Sequence, residues 1–246
     1  MNWIVKIAIC LAVVVVLPAQ AGDDRVHWAY EGEHGPDHWG DLSPDFVQCK
    51  VGVNQSPINI VDASDAQLPP LELDYTTSTV DLLNNGHTAQ ANIQPGSYLR
   101  VGGEEFELIQ LHLHTPSEHR IDGKAFLMET HYVHRNANGE LAVLALLHHE
   151  GASSEALDRF EGKIPKAAVK SVNYSESLAG TPVTRVDKSY YRYNGSLTTP
   201  PCSEGVRWFV LKQSSPVSLE QQRKYQQVIG DDARGPQSIN ARLVIE

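Results

Sequence analysis

Cysteine is scarce, with three in 246 residues, too few for a disulfide-dense scaffold. Basic residues are outnumbered, 20 Lys and Arg against 30 Asp and Glu, for a formal net charge of −10. An acidic chain gains nothing from neutralising phosphates, so nucleic acid is excluded as a partner. No internal repeat, low-complexity tract or linker-like run breaks the sequence, so nothing divides it into several units. Past residue 21 there is no long apolar run either, and no second segment that could span a bilayer. A soluble, mature protein without membrane contact is the expectation.

The one apolar run stands at the start. Lys6 precedes Ile7–Leu17, and Ala19-Gln20-Ala21 supplies the small residues that a signal peptidase reads. Residues 1–21 read as a secretory signal, cleaved after Ala21, and residues 22–246 as one domain. Export to the periplasm or beyond follows. Cys10 leaves with the signal, and Cys49 and Cys202 remain as an even pair in an oxidising compartment, which predicts one disulfide.

Proline (14) and glycine (18) are scattered along the chain and punctuate many short elements. Period-two alternation recurs at Tyr98–Val101, Glu105–His114, Ala125–His134, Leu141–Leu147, Ser189–Tyr193 and Val206–Lys212. Helical periodicity is confined to Ser218–Ile229, which opens on a capping serine, and to Ser154–Phe160. The pattern predicts a mainly β fold: a single domain on a large twisted, mostly antiparallel central sheet, with a few short peripheral helices.

Against that background Gln110–Pro116, QLHLHTP, is unusual. Strand alternation puts Phe106, Leu108, Gln110, His112 and His114 on one face, and Ile109, Leu111 and Leu113 on the other. Two imidazoles about 7 Å apart along a strand can reach one ion between them. A second strand, FLMETHYVH, offers His131 on the face shared with Glu129 and Val133. Three neutral imidazoles with no fourth protein ligand suit an open tetrahedral Zn2+ site. A metal-bound imidazole needs its far N–H held, and Gln110 and Glu129 each stand one alternation before a histidine. His134 falls on the opposite face from His131. His27, His34 and His38 read as surface or loop groups, and His148 and His149 as strand-end residues with solvent for a partner.

The segments HWAYEGEHGPDHWG, NQSPINI, LNNGHTAQ, QLHLHTPSEH, METHYVHRN, LAVLALL, YNGSLTTPPCSEGVRWFV and SINARLV together cover essentially the whole mature chain. In this order they resemble the α-class carbonic anhydrases, and in detail the secreted bacterial members. The resemblance implies reversible hydration of carbon dioxide to bicarbonate and a proton, with His112, His114 and His131 as zinc ligands and Gln110 and Glu129 orienting His112 and His131. It implies that Thr198 accepts a hydrogen bond from a zinc-bound hydroxide and passes its own proton to Glu118, with Thr199 lining the same floor. His87 takes the place of the proton shuttle, and Tyr30, Asn85 and Gln90 order the water between. Val133, Val143, Leu197, Val206 and Trp208 form the apolar wall for carbon dioxide. It also implies a disulfide between Cys49 and Cys202. Bacterial relatives are often dimers, so a homodimer is the expectation. The run between His114 and Glu118 is only TPS, shorter than in animal members and shared with secreted bacterial ones. Two other readings use the same histidines: a zinc-dependent esterase or hydrolase, and a non-catalytic exported zinc-binding module.

Overall fold

The computed structural model describes residues 26–166 and 170–246. The secretory signal read in residues 1–21 lies outside the described residues. Among these, no helix is long and apolar enough to cross a membrane.

Thirteen strands follow one another among the described residues. They are β1 (Asn59–Ile60), β2 (Glu72–Asp74), β3 (Thr77–Asn84), β4 (Ala89–Ile93), β5 (Tyr98–Val101), β6 (Glu104–His114), β7 (Arg120–Ile121), β8 (Met128–Arg135), β9 (Leu141–Glu150), β10 (Lys170–Ser177), β11 (Tyr190–Ser196), β12 (Glu204–Leu211) and β13 (Ser215–Val217). The short helices are α1 (Trp39–Leu42), α2 (Gln48–Val51), α3 (Glu155–Glu161), α4 (Pro182–Arg185) and α5 (Leu219–Ile229). Eleven strands make one sheet in the order β10-β3-β4-β6-β8-β9-β12-β11, with β2 and β5 continuing from β6, and β13 beside β9. Its pairs are antiparallel except β12 and β13 against β9. β1 and β7 form a separate parallel pair.

Each face of the sheet carries its own core. One face holds Val80, Leu82, Leu99, Phe106, Leu108, Leu111, Leu113, Leu144 and Leu146, covered by Leu157 and Phe160 of α3 and Tyr225 of α5. The other holds Ile58, Val133, Val143, Tyr193, Trp208 and Val210. α5 starts at a complete capping box: the Ser218 side chain accepts from the Gln221 N–H, and Gln221 reaches back to the Ser218 N–H.

The alternation in β6 does not run unbroken as the sequence suggested. Leu108 pairs with His134 and Gln110 with Val133, so Ile109 is an extra residue, a β-bulge. The bulge shifts the phase. Phe106 and Leu108 therefore join Leu111 and Leu113 in the first core, and Ile109 packs against the second. Gln110, His112 and His114 stay on one face and Leu111 and Leu113 on the other, as expected, so only the residues up to Ile109 change sides.

Candidate metal centre and cleft

Strand register builds the site in rows. Gln90, His112, His131 and Ala145 are direct partners across β4, β6, β8 and β9. The adjacent row runs Asn92, Gln110, Val133, Val143, Trp208 and Tyr193, across five strand pairings from β4 to β11. On the other side, His114 faces Glu129 and Glu129 faces Leu147. His112 and His131 thus lie beside a row whose β8, β9 and β12 members, Val133, Val143 and Trp208, are apolar.

The rings of His112, His114 and His131 have centroids 4.7–5.1 Å apart. Each turns one nitrogen outward to an acceptor. His112 Nδ1 lies 2.8 Å from Gln110 Oε1, His114 Nδ1 2.6 Å from the Asp232 carbonyl, and His131 Nε2 2.7 Å from Glu129 Oε1. The acceptors fix the tautomers: the single proton of each neutral ring sits on the outward nitrogen. The inward nitrogens carry lone pairs. His131 Nδ1 and His112 Nε2 are 3.3 Å apart with no proton between them, and buried His114 Nε2 has no hydrogen-bond partner. Burial holds the His112 imidazole well below the ordinary histidine range and brings His131 down to about 4, so both are neutral at physiological pH.

This donor set fits a divalent ion. Three ligand atoms that converge within 4.8 Å of one another, all neutral nitrogen, suit zinc. The buried charged side chains among the described residues are Glu118, Glu129, Asp232 and Arg234. Three carboxylates against one guanidinium leave two negative charges in excess around three neutral rings, which a dication balances. Without that cation, burial pushes Glu118 up to about 8 and Asp232 to about 7. Glu129 stays well below the carboxylate range despite its burial, because His119 and His131 face it.

A second group, His119, Glu129 and His131, also converges. Its atoms satisfy one another: His119 Nδ1 lies 2.6 Å from Glu129 Oε1, and the His119 N–H donates to Glu129 Oε2. His119 Nε2 continues to Tyr193 Oη at 2.6 Å. Sequence reasoning missed His119 and Asp232. His119 lies outside the regular strands, and Asp232 acts through its carbonyl, 118 residues from the ring it holds. No residue type announces such a contact.

Glu118 Oε2 stands 3.5 Å from His114 Nε2 and 3.9 Å from His131 Nδ1. Its other oxygen accepts from the Arg234 main-chain N–H, and the neighbouring Thr198 hydroxyl offsets part of the rise that burial causes, while Glu118 Oε2 has no hydrogen-bond partner. A cleft of about 200 Å³ opens above the imidazoles. Thr198, Thr199, Leu197, Val133, Val143 and Trp208 line it together with Tyr30, His87, Asn85 and Gln90. Val206 does not line the cleft. It is buried in the cluster with Val143 and Trp208, next to the register break at Gly195/Ser196. The Asn85 side chain accepts from the N–H groups of His87 and Thr88, which fixes the turn that presents His87. The His87 ring stacks on Trp28 at 3.7 Å and 10°. Burial, and then the charge of His27, lower its pKa.

The remaining histidines divide. His27, His34 and His38 are exposed, as expected. His134 is buried on the opposite face, with Nε2 2.7 Å from Tyr75 Oη. His148 is not a solvated strand end. It is buried and 2.8 Å from Thr130 Oγ1, because β13 extends the sheet past it; only His149, bonded to Ser214, is exposed. Cys49 and Cys202 form a disulfide beside Trp39, next to the Thr198 loop.

The model of the eukaryotic-type carbonic anhydrase family matches residues 34–245. A carbonic anhydrase of Pectobacterium carotovorum is 44% identical over 241 residues, covering 98% of each chain. The structure of an α-carbonic anhydrase from Thermovibrio ammonificans in complex with sulfanilamide superposes with a TM-score of 0.84 at 41% identity, over 90% of this chain and 100% of that one. The Photobacterium profundum α-carbonic anhydrase gives 0.82 at 46% identity, over 89% and 100%.

Proposed function

The chain belongs to the eukaryotic-type carbonic anhydrase family, and on that premise we propose that it hydrates carbon dioxide reversibly, with zinc held by His112, His114 and His131. The observation that carries the reading is the convergence of three inward lone pairs whose outward N–H groups are already committed. When bound, zinc supplies Lewis acidity that lowers the pKa of a water in its open position from ~15.7 to about 7, carbonic anhydrase being the standing example of the effect.

The chain's own residues then do four things. Gln110, Asp232 and Glu129 hold the three rings in one tautomer and orientation. Thr198 commits its proton to Glu118, so its oxygen can only accept from the attacking O–H, which turns a lone pair toward carbon. Val133, Val143, Leu197 and Trp208 offer an apolar surface to a substrate without net charge or dipole. His87 takes the released proton in the cleft and hands it to solvent, with Tyr30, Asn85 and Gln90 lining the way.

A stopped-flow pH-indicator assay with dissolved carbon dioxide tests the reading. Purified protein is expected to contain about one zinc per chain, the count for a single three-histidine site, and to lose activity to a chelator. His112→Ala is expected to lose both metal and turnover. Bound zinc without turnover favours a non-catalytic zinc module, and turnover that survives His112→Ala removes the zinc mechanism.

A further inference from the structure

Arg234 is the one buried cation among the described residues, 2% exposed. Its guanidinium donates from Nη1 to Gln55 Oε1 at 2.9 Å and to the Ser56 carbonyl at 2.8 Å, and from Nη2 to the Cys49 carbonyl at 3.1 Å. It lies over the Trp39 ring, 5.6 Å from the centroid. Two of its partners lead directly to the Thr198 loop. The Gln55 side-chain amide donates to the Cys202 carbonyl at 3.0 Å and to Glu204 Oε1 at 3.1 Å. The Ser56 N–H donates to Ser196 Oγ, and the Ser196 N–H donates back to Ser56 Oγ. Ser196 and Cys202 are the two ends of the segment that carries Thr198 and Thr199. The main-chain N–H of Arg234 itself holds Glu118 Oε1 at 2.9 Å.

One residue therefore grips the carboxylate through its backbone and both ends of the hydroxyl-bearing loop through its side chain. We propose that Arg234 is the positioning residue that sets the Glu118 carboxylate against the Thr198 hydroxyl. The inference rests on the catalytic reading above, and it adds a group that touches neither substrate nor metal ligand. A planar guanidinium can serve three acceptors in fixed directions at once; an ammonium on a flexible stem cannot hold that geometry. Nor would an apolar side chain do, because Gln55 and two main-chain carbonyls would be left buried without donors.

The test compares Arg234→Lys, Arg234→Ala and Gln55→Ala, each assayed as kcat/KM for carbon dioxide per bound zinc, beside near-UV circular dichroism. Gln55→Ala cuts the loop arm and leaves the buried guanidinium in place with its two main-chain acceptors, so the inference stays testable if Arg234→Ala does not fold. In folded, zinc-loaded Arg234→Lys, kcat/KM is expected to fall about tenfold or more, the scale of loss that small misplacements cause. Gln55→Ala is expected to fall less and in the same direction. Added guanidinium is expected to restore activity to Arg234→Ala and to leave the wild type unchanged. Wild-type kcat/KM in folded Arg234→Lys overturns the proposal. So does a loss in every variant that only follows lost zinc or lost near-UV signal, with unchanged activity per bound zinc. A wild type that holds zinc and does not hydrate carbon dioxide overturns the catalytic reading instead, before any variant is made.

Discussion

At the scale of single residues, two histidines show how burial sets different roles. His87 is half-buried against Trp28, and its pKa lies below the ordinary value because burial and the nearby His27 disfavour the cation. A ring that stays neutral to lower pH accepts a proton readily only when the donor is acidic, and it releases that proton quickly. His87→Ala is expected to slow turnover in weak buffer and to regain it with added imidazole; a rate independent of buffer would take His87 out of the proton path. His134 is the opposite case, fully buried and brought down to about 3 by desolvation. Its unfolded pKa is about 6.5, so between these values the unfolded chain binds a proton that the folded one refuses. The stability this group contributes is complete above pH 6.5 and is lost as pH falls toward 3, by at most ~1.4 kcal/mol per pH unit. Denaturant unfolding at pH 5 and pH 6 is expected to show a shallower pH slope in His134→Gln than in the wild type, by about one proton; equal slopes would contradict the assignment.

At the scale of elements, α5 shows how a remote helix reaches the site. Its Tyr225 hydroxyl bonds the Leu113 carbonyl at 2.7 Å and Asp232 Oδ2 at 3.1 Å, and Asp232 holds His114. Gln221 ties the same helix to Ser154 and Asp158 of the α3 region. Ser218→Ala removes the side chain that caps α5. It is expected to cost about 1 kcal/mol in a denaturant titration, with carbon dioxide hydration at room temperature unchanged. Activity lost without a change in midpoint would mean that the cap acts on the site and not on the helix. β6 shows the complementary device. The bulge at Ile109 lets one strand serve two cores, apolar on one face before it and histidine-bearing on the other after it.

At the scale of the whole molecule, the disulfide joins residues 153 apart, with Cα atoms 5.0 Å from each other. Closing a loop of that length restricts the unfolded chain by about 5 kcal/mol in the chain-entropy picture. The double variant Cys49→Ser, Cys202→Ser is expected to lose several kcal/mol of unfolding free energy, of the order of 3–5. A midpoint unchanged in denaturant would show that the loop is held by packing alone. The fold that the bond closes was largely legible beforehand. All six alternating segments overlap strands of the main sheet, although Ala125–His134 begins three residues before β8, and both helical segments lie at α3 and α5. β3, β4 and β10 were not legible. The inward residues of β3 include Ser78 and Asn84 beside Val80 and Leu82, which blurs the hydrophobic pattern. β10 is an edge strand exposed along most of its length.

The sequence alone determined the chemistry on offer: three imidazoles, with an amide and a carboxylate each one alternation before a histidine, and an even pair of cysteines. Period-two alternation makes such neighbours predictable, because side chains two apart on a strand share a face. Tertiary structure alone decided the rest. Register between β6 and β8 brought His131 opposite His112, and a loop more than a hundred residues away supplied the carbonyl for His114. The fold also buried three carboxylates around those rings, with Arg234 as the one buried counter-charge among the described residues. Such contacts join residues with no fixed spacing along the chain, through main-chain atoms that every residue type possesses, so they come into being only when the sheet closes over them.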